Sequence, residues 1–348
     1  LLEDEPRFDY SGGATCPSLL LEGSRTNLLT YSEQMNLWDN GTASVTANVT
    51  TSPDGFQNAD SINNTADVST FVSASNVAHT FSLFVKQGTS ATASIDMSDG
   101  VTGDVITTFT FATKTFSGTI AVGSWTSPST AYQDYGNGWY RISLTATKGA
   151  GASIGYKIIA SGTGTTFVWG AQLEAGAYPT SYIPNHSGGS VTRGDELATG
   201  AGTSSTFNSE EGVLYAEVSL NLLTPNMYIQ ISDGTYSNRV AIINNNSSST
   251  WRVFYRVNGV SQIDASETGL NCFETNKIAI SWKLNEFKFY VNGVKITQVN
   301  SGSVNTANTF DRLEFKDILG MNFYGNAKQV LVFPTALSDA DLATLTTI

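Results

Sequence analysis

The sequence predicts an all-β protein built of two consecutive antiparallel β-sandwiches with a short C-terminal helix. Apolar and polar residues alternate with a period of two through most of the 348 residues, and a 3.6-residue period is sustained only near the end. Glycine is frequent, at 32 residues, and several Asn-Gly pairs supply the positive-φ positions that tight hairpins require. No strand–helix–strand alternation of the kind that builds parallel sheets is present in the pattern. These three observations together favour the all-β class.

The first half of the chain predicts many short strands separated by turns. In residues 77–85, the alternation places Val77, Phe81, Leu83 and Val85 on one face of a strand. Further strands are predicted at residues 107–116, 139–144, 155–160 and 166–169. Short strands at turn-separated intervals are typical of a sandwich.

A stretch poor in apolar residues divides the chain between Pro184 and Asn208. It is rich in Gly, Ser and Thr, a composition typical of linkers. We therefore predict a first module at residues 1–185, a linker at 186–208 and a second module at 209–348.

The second half starts with another alternating strand at residues 212–220. Asn258-Gly259 and Asn292-Gly293 each predict a two-residue hairpin. Near the end, Ser338 is placed to cap a short helix that carries Leu342 and Leu345.

Two neighbouring strands of the second half are predicted to present arginine on one face. If Val240 faces the core, Arg239 faces outward, and burial of Val253 turns Arg252, Phe254 and Arg256 to the opposite face. Only residues 244–250 separate the two strands, which predicts antiparallel pairing. Three arginines and an aromatic ring would then share one outer surface, which suits a ligand bearing carboxylates or sulfates. The alternative is that these arginines pair with nearby acids on a solvated sheet.

The net charge of −12 makes nucleic acid an unsuitable partner, because a polyanion would be repelled. Charged residues are only 14% of the chain, which is common in secreted or virion-surface β proteins. No apolar run reaches the length of about 20 residues that a membrane-spanning helix needs.

The two cysteines, Cys16 and Cys272, are too far apart in sequence to suggest a disulfide framework or a metal-ligand spacing. The chain begins at Leu1 without Met, and we interpret it as part of a longer protein.

Several sequence blocks between residues 6 and 184 occur in an order known from one group of proteins. They are PRFDY at 6–10, CPSLLLE at 16–22, RTNLLTYSE at 25–33, SPDG at 52–55, NGWYR at 137–141, WGAQLEAG at 169–176 and PTSYIP at 179–184. The region resembles modules of bacteriophage tail and fibre proteins, which are similar to jelly-roll carbohydrate-binding modules. By analogy with jelly-roll modules, Glu33 and Glu174 are candidates to share a structural Ca²⁺ between the first and last strands.

The second half carries FYVNGV at 289–294 and YGNAKQVLVF at 324–333, followed by LSDADL at 337–342. This half resembles concanavalin A-like and laminin-G-like sandwiches. That family usually has an acid where Lys328 or Gln329 stands, so the resemblance carries no ion-binding role to those positions.

Three aromatic residues of the first module are further candidates for ligand binding. Trp125, Tyr132 and Tyr135 lie in a turn-rich stretch, and exposed rings there could stack on the apolar C–H faces of sugars. Packing in the core or at its rim is the alternative role for such large side chains.

The functional hypothesis is a non-enzymatic virion protein, a tail, fibre or head-appendage component that binds host-surface or extracellular glycan. It would act at the virion surface, with other virion proteins as partners, and the resemblance implies a homotrimer although no heptad repeat supports one. His79 and His186 are the only histidines, and neither is placed for a serine triad or a zinc site. Two alternatives remain open: a polysaccharide lyase or depolymerase on the second module, and a structural decoration without a ligand.

Overall fold

The computed structural model describes residues 6–10, 17–39, 44–63, 67–73, 76–99, 103–149, 153–160, 164–224 and 226–348. The chain starts with β1 (Phe8–Asp9) and β2 (Ser18–Leu21). These are followed by β3 (Arg25–Asn27), a 3-10 turn (Met35–Leu37), β4 (Ser44–Thr50), β5 (Ala59–Asn63), β6 (Asp67–Ser73), β7 (Ala78–Gln87), β8 (Thr92–Ser98), β9 (Asp104–Thr110), β10 (Thr115–Ala121), β11 (Thr126–Gly136), β12 (Trp139–Thr147), β13 (Ser153–Ala160), β14 (Thr165–Ala175) and β15 (Val191–Arg193). The last elements are β16 (Gly212–Leu220), β17 (Met227–Ser232), β18 (Arg239–Asn244), β19 (Trp251–Val257), β20 (Val260–Glu267), β21 (Asn276–Lys283), β22 (Glu286–Val291), β23 (Val294–Val299), β24 (Arg312–Glu314), β25 (Gly325–Phe333) and helix α1 (Asp339–Thr346).

The strands form two compact units. The continuous unit is Ser24–Gly194, and the split unit combines Leu1–Gly23 with Asp195–Ile348. All the described strand pairs with an assigned register are antiparallel, and α1 is the one α-helix among the described residues. The predicted all-β class is confirmed.

The continuous unit is a sandwich of two sheets. One sheet has the strand order β10-β9-β8-β13-β6 and the other β11-β12-β7-β14-β5-β4, with β15 and β3 forming a separate ribbon. Phe81, Leu83 and Val85 of β7 point into the core, where they meet Ile95 of β8 and Phe109 of β9. The alternation predicted for residues 77–85 therefore gives the correct buried face, except that Val77 lies before the strand and is exposed.

The split unit is a second sandwich. Its sheets have the orders β1-β2-β25-β16-β21-β22-β23 and β20-β19-β18-β17-β24. Apolar side chains from β16, β17, β18, β19, β21 and β22 fill the space between the sheets. Helix α1 covers the outer side of the first sheet, where Leu342 packs with Tyr215 and Tyr290. Ser338 caps the helix by accepting a hydrogen bond from the Asp341 amide at 3.2 Å, as predicted.

The two compact units do not follow the boundaries 1–185, 186–208 and 209–348. Strand β2 pairs with β25, with Leu19 opposite Ala327, so residues 1–23 belong with the second half. The segment predicted as a linker contains β15, which pairs with β3 through Val191 opposite Asn27. Whether the two units unfold independently remains a prediction.

Cys272 is buried, and burial raises the pKa of its thiol to about 11. Cys16 lies outside the described residues. Within the described part of the chain, no helix is both long and apolar enough to cross a membrane.

Candidate functional site

The arginine residues of the second half meet on the outer face of the sheet formed by β20, β19, β18, β17 and β24. Arg239 on β18 lies opposite Arg256 on β19, and Ala241 lies opposite Phe254. The antiparallel pairing predicted across residues 244–250 is confirmed. Arg239, Arg252, Phe254 and Arg256 are called the arginine face below.

The same alternation that creates this face fills the core on the other side of the sheet. Val240, Ile242 and Val253 all point into the space between the two sheets. The predicted orientation of both strands is therefore correct. The predicted exposure is not: Arg239 is only 2% exposed and Phe254 only 1% exposed.

Arg239 is buried because aromatic rings surround its guanidinium group. The guanidinium carbon lies 4.6 Å from the ring centre of Tyr236, 4.7 Å from that of Phe254 and 5.6 Å from that of Tyr228. Phe254 and Tyr228 form a small apolar cluster with Ala241 on this outer face. Cation–π attraction of this kind strengthens when the cation is shielded from water.

Arg239 has no acidic partner within ion-pair distance among the described residues. Its Nη1 donates to Gln230 Oε1 at 3.4 Å, while its Nε has no hydrogen-bond partner. The Nε2 group of the fully buried Gln230 is also without a partner. Burial lowers the pKa of Arg239, and the charge of Arg256 lowers it further. Buried donors without acceptors are unusual in a folded protein and call for an explanation.

Arg256 shares the same aromatic ring. Its guanidinium carbon lies 4.6 Å from the centre of Phe254, and its Nε donates to Ser261 Oγ at 3.2 Å. Arg252 lies 5.9 Å from the same ring centre, so three guanidinium groups surround Phe254. Within the part of the chain that the structure describes, neither Arg239 nor Arg256 has an acid in ion-pair contact. Arg252, at the other end of the face, is held by Asp264, which raises the pKa of Arg252.

The charge of Asp317 raises the pKa of Arg239, but the hydrogen bonds of Asp317 are made to other residues. Its Oδ1 accepts from the amides of Leu319 and Met321 at 2.8 Å each, and its Oδ2 accepts from the Tyr236 hydroxyl at 3.4 Å. Burial raises the pKa of Tyr236, and the charge of Asp317 adds to the shift. Asp317 therefore orients the ring that covers Arg239.

The three aromatic candidates of the first module do not form a common surface. Trp125 is buried in the core of the continuous unit, with Nε1 donating to the Gly103 carbonyl at 3.3 Å, so its proposed exposure is wrong. Tyr132 lies opposite Ile142 on the core side of the sheet and contacts the Phe109 ring. Tyr135 packs edge-on against Phe84, in the aromatic cluster on the other face. Tyr132 and Tyr135 are nevertheless 45% and 42% exposed, so their expected exposure is found, and their role in sugar stacking stays a prediction.

The two carboxylates proposed to share Ca²⁺ have separate partners. Both oxygens of the buried Glu174 accept hydrogen bonds from the amide and hydroxyl groups of Thr180. Glu33 Oε1 accepts from the Tyr182 hydroxyl at 3.0 Å, and burial raises the pKa of Glu33. In the described residues, no three His, Cys, Asp or Glu side chains converge as metal ligands. The contacts thus give each glutamate a local structural role.

The histidines are placed differently from each other. His79 is fully buried, its Nδ1 lies 2.9 Å from the Val77 carbonyl, and burial lowers its pKa. His186 is mostly exposed and lies 3.9 Å from Glu33. Both histidines belong to the continuous unit, whereas the arginine face belongs to the split unit.

Sequence reasoning missed four residues of the site: Tyr228, Gln230, Tyr236 and Asp264. Tyr228 and Gln230 could have been found, because Ile229 and Ile231 alternate with them on β17 and point into the core. Tyr236 lies in a loop, where periodicity gives no direction.

No family model and no curated protein matches this chain. Among solved structures, it is similar to the Ruminococcus gnavus IT-sialidase CBM40 bound to α2,3-sialyllactose, with 14% identity, a TM-score of 0.36 and coverage of 44% of this chain and 95% of that one. It is also similar to a leech intramolecular trans-sialidase, with 14% identity, a TM-score of 0.34 and coverage of 40% and 24%. A SAP-like pentraxin from Limulus polyphemus has 14% identity, a TM-score of 0.34 and coverage of 42% and 73%. Likeness at this level assigns neither a family nor a ligand to this chain.

Proposed function

We propose that this protein binds acidic glycan through the arginine face and does not cleave it. One observation carries the proposal: Arg239 is 2% exposed yet has no acidic partner among the described residues. Moving a guanidinium out of water is costly unless an anion or a set of acceptors compensates. A ligand carboxylate or sulfate bound at the partly exposed Arg256, which shares the Phe254 ring with Arg239, would supply that compensation through its charge.

The chemistry of the face suits such a ligand. A guanidinium group binds a carboxylate through two parallel hydrogen bonds, and the partly exposed Arg256 can present such a pair of donors to a ligand. The exposed part of the Tyr236 ring can pack against the C–H groups of a sugar, because aromatic rings combine an apolar face with a polar edge.

A polysaccharide lyase is the second candidate, and one observation favours it. Tyr228 and Tyr236 both flank Arg239, which itself contacts Gln230. A lyase needs an acid/base side chain beside a group that neutralises the substrate carboxylate. The raised pKa of Tyr236 opposes its acting as a base near neutral pH, and this favours binding over cleavage.

Affinity electrophoresis in gels containing acidic or neutral polysaccharide tests the proposal. We expect retardation by the acidic polymer, weakened about fivefold in Arg256→Ser, since each charge-assisted contact contributes on the order of 1 kcal/mol. Lys283→Ser is the matched control, because Lys283 is exposed on the other sheet and the charge change is the same. Added salt should weaken wild-type binding in parallel.

Four results separate the candidates. Retardation without fragments supports binding, and unsaturated oligosaccharides in the digest identify a lyase. Equal mobility of the wild type and the Arg256→Ser variant with an acidic polymer shows that the face is ordinary surface. Absence of any retardation would support the alternative of a structural decoration without a ligand.

The place of action is proposed as the surface of a phage virion. The resemblance of residues 6–184 to phage tail and fibre modules supports this, as does the low share of charged residues, 14%. Immunogold labelling of intact virions tests it: labelled particles support a tail or fibre component, and a protein found only in the host lysate contradicts one.

A further inference from the structure

Asp264 neutralises one end of the arginine face. Its two carboxylate oxygens accept from Arg252 Nε and Nη2, each at 2.6 Å. Both side chains remain about one-third exposed, at 30% for Arg252 and 34% for Asp264. This bidentate arrangement is the geometry that a ligand carboxylate would take on a free arginine.

The strand register directs Asp264 to Arg252 and away from Arg256. Asp264 on β20 lies opposite Phe254, between the two arginines. A bulge then inserts Gln262, so that the small Ser261, and not Gln262, lies opposite Arg256. The Asp264 carboxylate therefore forms an ion pair with Arg252 and not with Arg256.

The face consequently has two ends of different character. At one end, Arg239 and Arg256 are two cations for which the described residues provide no acid in ion-pair contact. At the other, Arg252 and Asp264 form a neutral pair. Arg252 and Arg256 are four residues apart on one strand, about 13 Å along the sheet. A glycan chain lying along β19 would meet a cationic position and then a neutral, polar one.

We propose that Asp264 selects glycans whose anionic groups are separated by neutral sugar units. This inference rests on the proposed function, since it concerns the ligand of the same face. When one carboxylate of the glycan is bound at Arg256, a carboxylate on the next sugar of the same glycan would approach Asp264 and be repelled. The hydroxyls of a neutral sugar can donate to Asp264 and accept from Arg252 without that penalty.

The test uses two polymers of known spacing. Polygalacturonate carries a carboxylate on every sugar, and hyaluronan carries one on alternate sugars. We expect the wild type to bind hyaluronan more tightly per carboxylate. Asp264→Asn should bind polygalacturonate about fivefold more tightly than the wild type, because it releases one further guanidinium for a charge-assisted contact.

Two matched variants isolate the effect. Glu267→Gln makes the same change in net charge on the same strand, but Glu267 lies opposite Trp251 on the core-facing side. The double variant Arg252→Ser with Asp264→Asn should lose the gain, because the gain depends on a released Arg252. Asp264→Ser serves in place of Asp264→Asn if the latter unfolds.

The outcomes are distinguishable from those of the proposed function. Absence of wild-type binding to either polymer overturns both proposals. Binding of both polymers with equal strength, and no difference between Asp264→Asn and Glu267→Gln, overturns this inference alone. A gain on polygalacturonate that disappears in the double variant supports it.

Discussion

At the scale of single residues, Arg239 represents a conflict between stability and binding. Its lowered pKa indicates that the protein surroundings disfavour its charge. We predict that Arg239→Met raises the free energy of unfolding by about 1 kcal/mol, because an apolar side chain of similar volume needs no compensating acid. The same variant should lose most of its affinity for acidic polysaccharide.

Urea unfolding and affinity electrophoresis measure the two effects. Arg312→Met is the control, because Arg312 lies on β24 of the same sheet but forms an ion pair with Asp311 at 2.7 Å and is partly exposed. A destabilised Arg239→Met variant would mean that the aromatic rings more than compensate for burying the charge.

His79 makes the stability of the continuous unit depend on pH. Burial lowers its pKa, and the charge of Lys148 contributes in the same direction. Above the unfolded-state pKa of about 6.5, both states are neutral and stability is unaffected. As the pH falls below that value, the unfolded state takes up the proton first, so the free energy of unfolding decreases until the folded-state pKa is passed.

Urea midpoints measured between about pH 5 and pH 8 test this, with His79→Gln expected to flatten the decrease on the acid side. His186→Gln is the control, because that side chain is 62% exposed. The prediction is wrong if His79→Gln and the wild type lose stability in parallel.

The sequence correctly predicted which face of the sheet each side chain points to, but it did not predict how deeply each side chain is buried. Alternation placed Arg239, Arg252, Phe254 and Arg256 on one face because strand side chains must alternate. It could not show that Tyr236, from a loop, covers Arg239. Local composition was also misleading at Trp125, which lies in a turn-rich stretch and yet points into the core.

At the scale of elements, ion pairs attach helix α1 to its sheet. Asp339 lies 2.8 Å from Lys288 Nζ and 2.7 Å from Lys295 Nζ, and hydrogen bonds from these lysines lower its pKa to about 2. Because the folded-state pKa is depressed, the stabilisation is present above the unfolded-state value of about 3.9 and is lost as the pH falls toward 2.

We predict that Asp339→Asn reduces the hydrogen-exchange protection of α1 at neutral pH. The effect should be modest and salt-sensitive, since the side chain is half exposed. Asp341→Asn, in the same helical turn but bonded to Ser338, is the matched control. Equal protection in the two variants would assign the effect to the helix dipole and not to the lysines.

Hairpins were the elements that the sequence predicted best. Asn258 and Gly259 have φ values of 48° and 82°, and Asn292 and Gly293 have 49° and 83°, so both pairs form the left-handed turns expected of Asn-Gly. The pairing of β2 with β25 could not be predicted in the same way. No turn connects these strands, and more than 300 positions separate Leu20 from Asn326.

At the scale of the whole molecule, the distribution of charge determines the binding of an acidic polymer more than the net charge does. The chain carries −12 overall, yet the arginine face holds Arg239 and Arg256, which have no acid in ion-pair contact among the described residues. An acidic polymer would therefore be attracted at this face against an overall negative charge. This favours a defined orientation of the bound ligand and a strong dependence of affinity on salt.

The division of the split unit predicts how the protein responds to a single cut. Residues 203–206 are largely exposed, and cleavage there separates the chain into two fragments that both contribute to the split unit. Leu21, on β2 of the first fragment, is buried in the core that the second fragment supplies. We predict that the nicked protein elutes from a sizing column at its intact mass, because burying a leucine and its neighbouring strand stabilises the association.

Leu21→Asp should let the fragments separate, whereas Leu20→Ser should not, because Leu20 faces the other side of the strand and is only partly buried. If the nicked wild type separates without denaturant, the sandwich of the second half does not need β2, and the boundary between independent modules lies within 186–208.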